Sequence, residues 1–378
     1  MKNIKYYGLI CFFIIFSCAP FNISAQENYD ALVEDKQALK FESVIKKVKE
    51  SVVILSMNPN ADPETDPTKT GLCSGVVIDD VGHILTNFHC VYKQNYLRLY
   101  YYDQEDWQNY EVKVIGTDPL ADLALLEVID KEEPIPFLSF ADNTKDIESG
   151  KEVFALGHPM GMAWTVTRGI ISSTERYSRH PFIKTLQTDA AINKGNSGGP
   201  LMNMRGEIIG INALIISRIS ENAGVGLAIR GDIVKTSVES MLVTGRTDRP
   251  AVGIMIMPLT TKRQRDAILK EYPKLKPEFV PNSFGVFVRP SDNLPKGIKK
   301  FDTIIGINDK MTNDGLQFSD EIYKYRIGDT ITLTLVRKRR YLKVDVPLKV
   351  FPVDAEMMYK EQRRGSKPIQ PEKGPKNP

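Results

Sequence analysis

From residue 71 to residue 230 the chain is a succession of short apolar stretches broken by turn residues, and this cadence narrows the choice of fold more than any other feature. Cys73–Ile78, His83–Thr86, Tyr96–Tyr102, Tyr110–Thr117, Ala124–Ile129 and Glu152–Gly157 come first. Thr165–Ser173, Ile183–Thr188, Leu201–Asn203, Ile208–Ile216 and Val225–Ile229 follow. Runs of this kind, spaced by turn signals, read as β-strands, and so many in series predict an all-β barrel or sandwich. Asp232–Leu242 reads as a closing helix and Gly245–Pro250 as a linker. A second unit over 250–350 mixes strands (Ala251–Met257, Gly285–Arg289, Asp302–Asn308, Thr330–Arg337, Tyr341–Leu348) with helices at Lys262–Tyr272 and Ser319–Tyr325.

The flanks differ from this body. Lys2 and Lys5, then the apolar Gly8–Phe16, then Ile23-Ser24-Ala25, have the order of a secretory signal peptide over 1–25. Its apolar run is short for a membrane span. Ile15-Phe16-Ser17 before Cys18 offers a second reading, a lipoprotein signal, against which stands the bulk of Phe16; the membrane is a partner only if Cys18 is lipidated. Residues 26–50 space Leu32, Leu39, Phe41, Val44, Ile45 and Val48 among charges, which predicts a helical arm, and Ser51–Leu55 reads as the strand after it. Asn58–Thr70 is a Pro-containing exposed loop, and 351–378 a basic tail expected to be disordered. Removing 1–25 takes two lysines and no acid, leaving 48 basic against 47 acidic residues, a balance that gives no reason to expect nucleic acid. Two cysteines remain, Cys73 and Cys90, enough for one bridge in an exported protein. There is no CxxC pair and no run with metal-ligand spacing, so neither metal nor cofactor is expected.

Within the strand-rich body lies Asn193-Lys194-Gly195-Asn196-Ser197-Gly198-Gly199-Pro200. A nucleophilic serine needs a sharp turn that exposes its hydroxyl and turns backbone N–H groups toward a developing oxyanion, and glycines permit the dihedrals. The same residues would also suit an ordinary hairpin turn, so a base and an orienting acid decide the matter. Of the four histidines, His83 and His180 read as solvated and His158 as a loop residue near a cleft. His89 closes the run Ile84–Cys90, read as a strand end where packed backbone would hold a general base. Asp122 stands just before the apolar Leu123–Leu126, where a carboxylate needs a partner such as a histidine N–H; Asp118, next to Pro119, fits a solvated turn better.

Taken together, Thr86-Asn87-Phe88-His89, Asp122-Leu123-Ala124-Leu125-Leu126 and Gly195-Asn196-Ser197-Gly198-Gly199-Pro200 resemble the HtrA (Do-type) serine proteases of the chymotrypsin clan. Gly157-His158-Pro159-Met160-Gly161, Thr165–Ile170 and Gly224–Ile229 match the family as well, and the likeness runs from about 40 to 350. The resemblance implies a chymotrypsin-like double β-barrel over 51–245, followed by a small α+β PDZ domain over 250–350. It further implies a serine endopeptidase with His89, Asp122 and Ser197 as the triad and the N–H groups of Gly195 and Ser197 as the oxyanion hole. The chain departs from the family at Phe88, where Asn is usual, at Cys90 and Lys194, and at Phe301-Asp302, where a PDZ domain carries Gly-Asp.

Several finer expectations follow from the resemblance. The floor of the primary pocket falls on Ala191, with Ile192 beside it and Leu214 and Ile215 along its wall. None is charged, which implies cleavage after small or medium aliphatic residues. Val252-Gly253-Ile254 would receive a peptide carboxylate. Cys73 and Cys90 occupy places that chymotrypsin-like enzymes often bridge, the alternative being two buried thiols. The family implies a homotrimer, with Tyr29 and Phe41 as candidate contacts, unfolded proteins and peptide C-termini as partners, and a bacterial periplasm or cell envelope as location. A peptide-binding chaperone or scaffold with minor proteolysis is the other function such a chain would serve.

Overall fold

The computed structural model describes residues 40–58, 60, 73–102, 107–131, 133–142, 147–158, 164–177, 183–193, 195–213, 224–282 and 284–356. Lys46–Pro378 form one compact unit; of Met1–Ile45 only 40–45 are described, and they are helical. The signal segment, the first part of the arm, most of the loop over 58–70, His180, and Leu214 and Ile215 lie outside the described residues. Among the described residues no helix is long and apolar enough to cross a membrane.

The strand-rich body is two closed six-stranded barrels. The first contains β1 (Val52–Ser56), β2 (Cys73–Val77), β3 (His83–Thr86), β4 (Arg98–Tyr102), β5 (Trp107–Asp118) and β6 (Leu123–Val128), in the order β1-β2-β3-β6-β5-β4. Its interior takes alternate residues of each strand, among them Val53, Leu55, Val77, Ile84, Leu99, Ala124 and Leu126. The outward residues Val76, Leu85, Leu123 and Leu125 are buried too. They are covered because β1 and β2 adjoin the second barrel and α2 (Gly231–Thr244) lies on β5 and β6. This is why the strands read as continuous apolar runs rather than as an apolar–polar alternation.

The second barrel contains β7 (Glu152–Gly157), β8 (Thr165–Tyr177), β9 (Lys184–Thr188), β10 (Pro200–Asn203), β11 (Ile208–Ala213) and β12 (Gly226–Arg230), in the order β10-β11-β12-β9-β8-β7. Val153, Ala155, Ile171, Leu186, Leu201, Ile209 and Ala228 fill it. The chain's two tryptophans bind the barrels: Trp107 of β5 stacks on Trp164, centroids 5.3 Å apart, and Trp164 Nε1 donates to Lys49 O at 3.0 Å.

Helix α2 ends at Gly245, left-handed at φ 72, and Pro250–Ala251 is already a strand (β13) paired with β20 (Lys349–Val350). The remaining sheet runs β14 (Ile256–Pro258), β15 (Val286–Val288), β16 (Thr303–Ile307), β18 (Thr330–Arg337) and β19 (Arg340–Pro347), with β17 (Lys310–Met311) on β16. Helix α3 (Lys262–Glu271) opens on a capping box of Thr261 and Gln264. Helix α4 spans Gly315–Ile322, four residues earlier than its apolar pattern suggests, because the Asp314 carboxylate accepts the N–H groups of Leu316 and Gln317 and starts the helix there. The tail also departs from expectation: 351–356 are placed, with Phe351 N–H bonded to Arg249 O and Glu356 paired with Lys93 at 3.4 Å.

Two polar residues correct the reading of the sequence. His83 is half-buried rather than solvated, its Nδ1 2.6 Å from Asp79 Oδ2. Asp118 is no solvated turn residue but is 0 % exposed. Its carboxylate accepts Arg249 Nη1 at 2.6 Å and Nη2 at 2.5 Å, Ser237 Oγ at 2.7 Å and the Ala121 N–H at 3.1 Å. Barrel, helix α2 and the root of the second unit thus share one buried ion.

Candidate active site

Strand β3 stops at Thr86, and Phe88–Val91 form a single helical turn, α1, so His89 stands on a helix rather than at a strand end. Successive side chains of a helix diverge by about 100°. His89 therefore faces the cleft while Cys90 turns into the barrel, where it is bridged to Cys73 across a Cα–Cα distance of 6.1 Å. Of the two arrangements open to these cysteines, the disulfide is the one adopted.

Asp122 closes the Pro119–Asp122 turn at φ +58, a conformation that aspartate tolerates better than most residues. The bend directs the residue back onto α1. Oδ2 lies 2.8 Å from His89 Nδ1, Oδ1 accepts the His89 backbone N–H at 2.9 Å, and the Asp122 carbonyl accepts both the Phe88 N–H and Asn87 Nδ2. Four hydrogen bonds thus fix Asp122 against residues 87–89, two through its carboxylate and two through its carbonyl, with the His89 and Asp122 side chains still reached by solvent (17 % and 16 % exposed).

Ser197 comes from the other barrel. Its loop is fixed by Gly195 and Gly198, both at positive φ (103° and 85°). At Gly198 the requirement is absolute, since a Cβ would run into Ser74 O and Thr86 Oγ1. That contact sets Ser197 against the segment that leads into α1. Ser74 completes the attachment: its N–H donates to Ser197 O at 2.8 Å, its Oγ donates to Gly195 O at 2.6 Å, and its carbonyl accepts Thr86 Oγ1. Asn196, Gly198 and Gly199 give their N–H groups to Asn193, Asn212 and Asn196 carbonyls. The N–H groups of Gly195 and Ser197 donate to nothing among the described residues, and the buried Ser197 Oγ has no hydrogen-bond partner there either.

The structure thus brings together His89, Asp122, Ser197, Gly195, Cys73 and Cys90. Ala191 is half-buried nearby, its carbonyl accepting Thr167 Oγ1 and Asn196 Nδ2. Ile192, next to it, is fully buried among the core side chains of the second barrel and lies close to Gly226. Val252, Gly253 and Ile254 line a cavity of about 280 Å³ that also touches Ile256, Phe318 and Ile322; Val252 is in addition part of the core there. Ser74 is the residue that the motifs do not single out; its signal is a polar side chain inside the run 73–78.

His158, in the loop that follows β7, is buried, and its backbone N–H donates to Ser74 Oγ at 3.0 Å. Nε2 lies 3.4 Å from Val52 O, and the Trp164 N–H donates to Nδ1 at 3.3 Å. Burial pushes its pKa down to about 4, the bond to Val52 O only partly opposing it. The unfolded imidazole titrates near 6.5, so the unfolded chain binds the proton first as pH falls. The stability in question is whole above about pH 6.5 and is lost on the way down to about 4, roughly 3 kcal/mol in all. Urea denaturation at pH 7 and 4.5 should show a fall that is smaller by about 2 kcal/mol in His158→Gln. Parallel pH profiles for the two proteins would rule out this residue as the source.

Residues 73–211 match the family model described as a trypsin-like peptidase domain, and 273–348 that of a PDZ domain. A probable periplasmic serine endoprotease, DegP-like, of Rhizobium meliloti (strain 1021) is 32% identical over 320 residues, 84% of this chain and 59% of the relative. The serine protease Do-like HtrA of Bacillus subtilis (strain 168) is 31% identical over 311 residues, 76% and 66% of the two chains. The chain thus spans about three fifths of the length of the curated relatives it matches. Among solved structures, an HtrA-type protease AlgW with tripeptide superposes at a TM-score of 0.67 with 26% identity, covering 83% of this chain and 98% of that one. The serine endoprotease from Yersinia pestis does so at 0.62 with 28% identity, covering 82% and 98%.

Proposed function

This chain belongs to the HtrA-type serine proteases that carry a PDZ domain, and we propose that it is an exported endopeptidase cleaving unfolded or damaged proteins through an acyl-enzyme on Ser197. The observation that carries the reading is the His89–Asp122 pair, held at 2.8 Å beside the glycine-bounded Ser197 loop. Ser197 Oγ attacks the peptide carbonyl while His89 takes its proton and later returns it to the leaving amine. Asp122 keeps the other imidazole proton on Nδ1 and stabilises the imidazolium. The N–H groups of Gly195 and Ser197 receive the oxyanion, a role supported by their lack of other acceptors among the described residues. Ser197 Oγ has no bond to His89 at rest, in keeping with catalytic hydrogen bonds that tighten only around substrate. This chemistry needs no cofactor.

The uncharged loop at Ala191 suits a small or medium aliphatic residue before the cleaved bond. The cavity along Val252–Ile256 and α4 suits a peptide C-terminus, its carboxylate on the Val252-Gly253-Ile254 loop and its backbone added to β14. Export to a periplasm or cell envelope and a trimeric assembly complete the proposal, in line with the periplasmic relatives.

Incubation with unfolded casein and, separately, with a fluorophosphonate tests it. Casein should disappear, the fragments should end mainly in aliphatic residues, and mass spectrometry should find one phosphonyl group on Ser197. Intact casein and an unmodified Ser197, with and without added peptides, would instead favour a peptide-binding scaffold.

A further inference from the structure

Cys73, His89 and Cys90 lack the sequence spacing of a familiar metal site, yet their donor atoms lie within 4.8 Å of one another. We infer that, once the Cys73–Cys90 bridge is reduced, these three side chains form a binding site for a thiophilic d¹⁰ cation such as Zn²⁺ or Cd²⁺, and that the bound ion switches the active site off.

The geometry is nearly that of a three-ligand zinc site. Tetrahedral Zn²⁺ with Zn–S about 2.3 Å and Zn–N about 2.0 Å sets its donors about 3.5–3.8 Å apart, so the sulfurs must part by nearly 2 Å once their bond is broken while the imidazole closes by roughly 1 Å. The sulfurs are anchored on both sides: Cys73 in β2, paired with Leu55, and Cys90 on α1, one residue from the imidazole. Both sulfurs are buried, whereas His89 keeps its contact with the cleft, which leaves a fourth position for water.

The chemistry balances. A dithiol gives two electrons to the Cys73–Cys90 bond, which breaks; the dithiol closes to its own disulfide and its two protons end on the cysteine sulfurs. The cation then displaces those two protons and takes one imidazole lone pair. One ring nitrogen of His89 faces Asp122 Oδ2 and the other is the proposed base for Ser197. A cation on either removes the imidazole from catalysis. This inhibitory consequence rests on the proposed triad; the binding itself does not.

The test uses the full mature chain reduced with a phosphine, which takes oxygen from water and leaves two thiols, then freed of reductant without air. Titration with Cd²⁺ should give a thiolate charge-transfer absorption that saturates at one equivalent, with casein cleavage falling in step to zero and returning on chelation. The oxidised protein should show neither effect. His89→Ala, reduced, should bind Cd²⁺ at least tenfold more weakly. No absorption in the reduced protein, equal absorption in the oxidised one, undiminished affinity in His89→Ala, or loss of the far-ultraviolet dichroism on reduction would each overturn the site. Saturable absorption in a protein that never cleaves casein, even oxidised, would uphold the site and defeat the proposed peptidase reading instead.

Discussion

Replacing Ser197 by alanine is expected to lower kcat by about six orders of magnitude, and replacing Asp122 by asparagine by about four, with little change in substrate binding. The first loss follows from removing the nucleophile. The second follows from which oxygen does what. Asp122 Oδ1 accepts the His89 backbone N–H, and Oδ2 faces the ring Nδ1. In asparagine only the carbonyl oxygen can accept, so it takes the backbone N–H and the amide nitrogen turns to the ring. A donor now faces Nδ1, which must accept, so the ring carries its proton on the nitrogen meant to deprotonate Ser197. Four orders of magnitude correspond to about 5.4 kcal/mol of barrier, at 1.36 kcal/mol for each tenfold. Because the three residues act as a unit, Ser197→Ala/Asp122→Asn should be no slower than Ser197→Ala alone. Rates on a chromogenic peptide, with affinity from titration of a non-covalent product peptide, check this. An Asp122→Asn enzyme within tenfold of wild type would refute the assignment of Asp122.

The strands were legible because barrel strands buried on both faces write themselves as apolar runs; β3 and β7 keep the expected bounds to the residue. Local backbone was less legible. In the run Ile84–Cys90 the apolar Ile84, Leu85, Phe88 and Cys90 do not by themselves separate a strand end from the helical turn that carries His89. Of the two acids, Asp122 is the one whose carboxylate meets the His89 ring, its Oδ2 2.8 Å from Nδ1. Burial alone would select the other acid, since Asp118 is fully buried and Asp122 is 16 % exposed. What separates them is the left-handed turn at Asp122, which points its carboxylate at α1, and a guanidinium 131 residues downstream, which occupies Asp118. Neither leaves a mark at positions 118–122. Ser74 was hidden for the same reason: its partners come from the opposite barrel.

Asp118→Ala is expected to destabilise the fold by about 3–5 kcal/mol, the usual result of breaking a buried pair from one side. Arg249, 11 % exposed, would be left with a buried guanidinium that keeps only the long contact to Ser237 Oγ, 3.4 Å, among the described residues. The damage would spread, because Ser237 and the Ala121 N–H would lose the same acceptor. Arg249 also stands just before β13, and its carbonyl receives the Phe351 N–H, so the joint between the barrels and the PDZ unit loosens with it. An apolar pair of similar volume avoids the stranded charge. Asp118→Leu/Arg249→Met should therefore recover most of the loss, and a double-mutant cycle should give a coupling of at least 2 kcal/mol between the two sites. Urea unfolding followed by tryptophan fluorescence measures both quantities, since Trp107 and Trp164 stack across the barrels. If Asp118→Ala cost less than 1 kcal/mol, the ion pair would be a surface-grade contact, and the rigidity ascribed to this joint would have to come from the β13–β20 pairing alone.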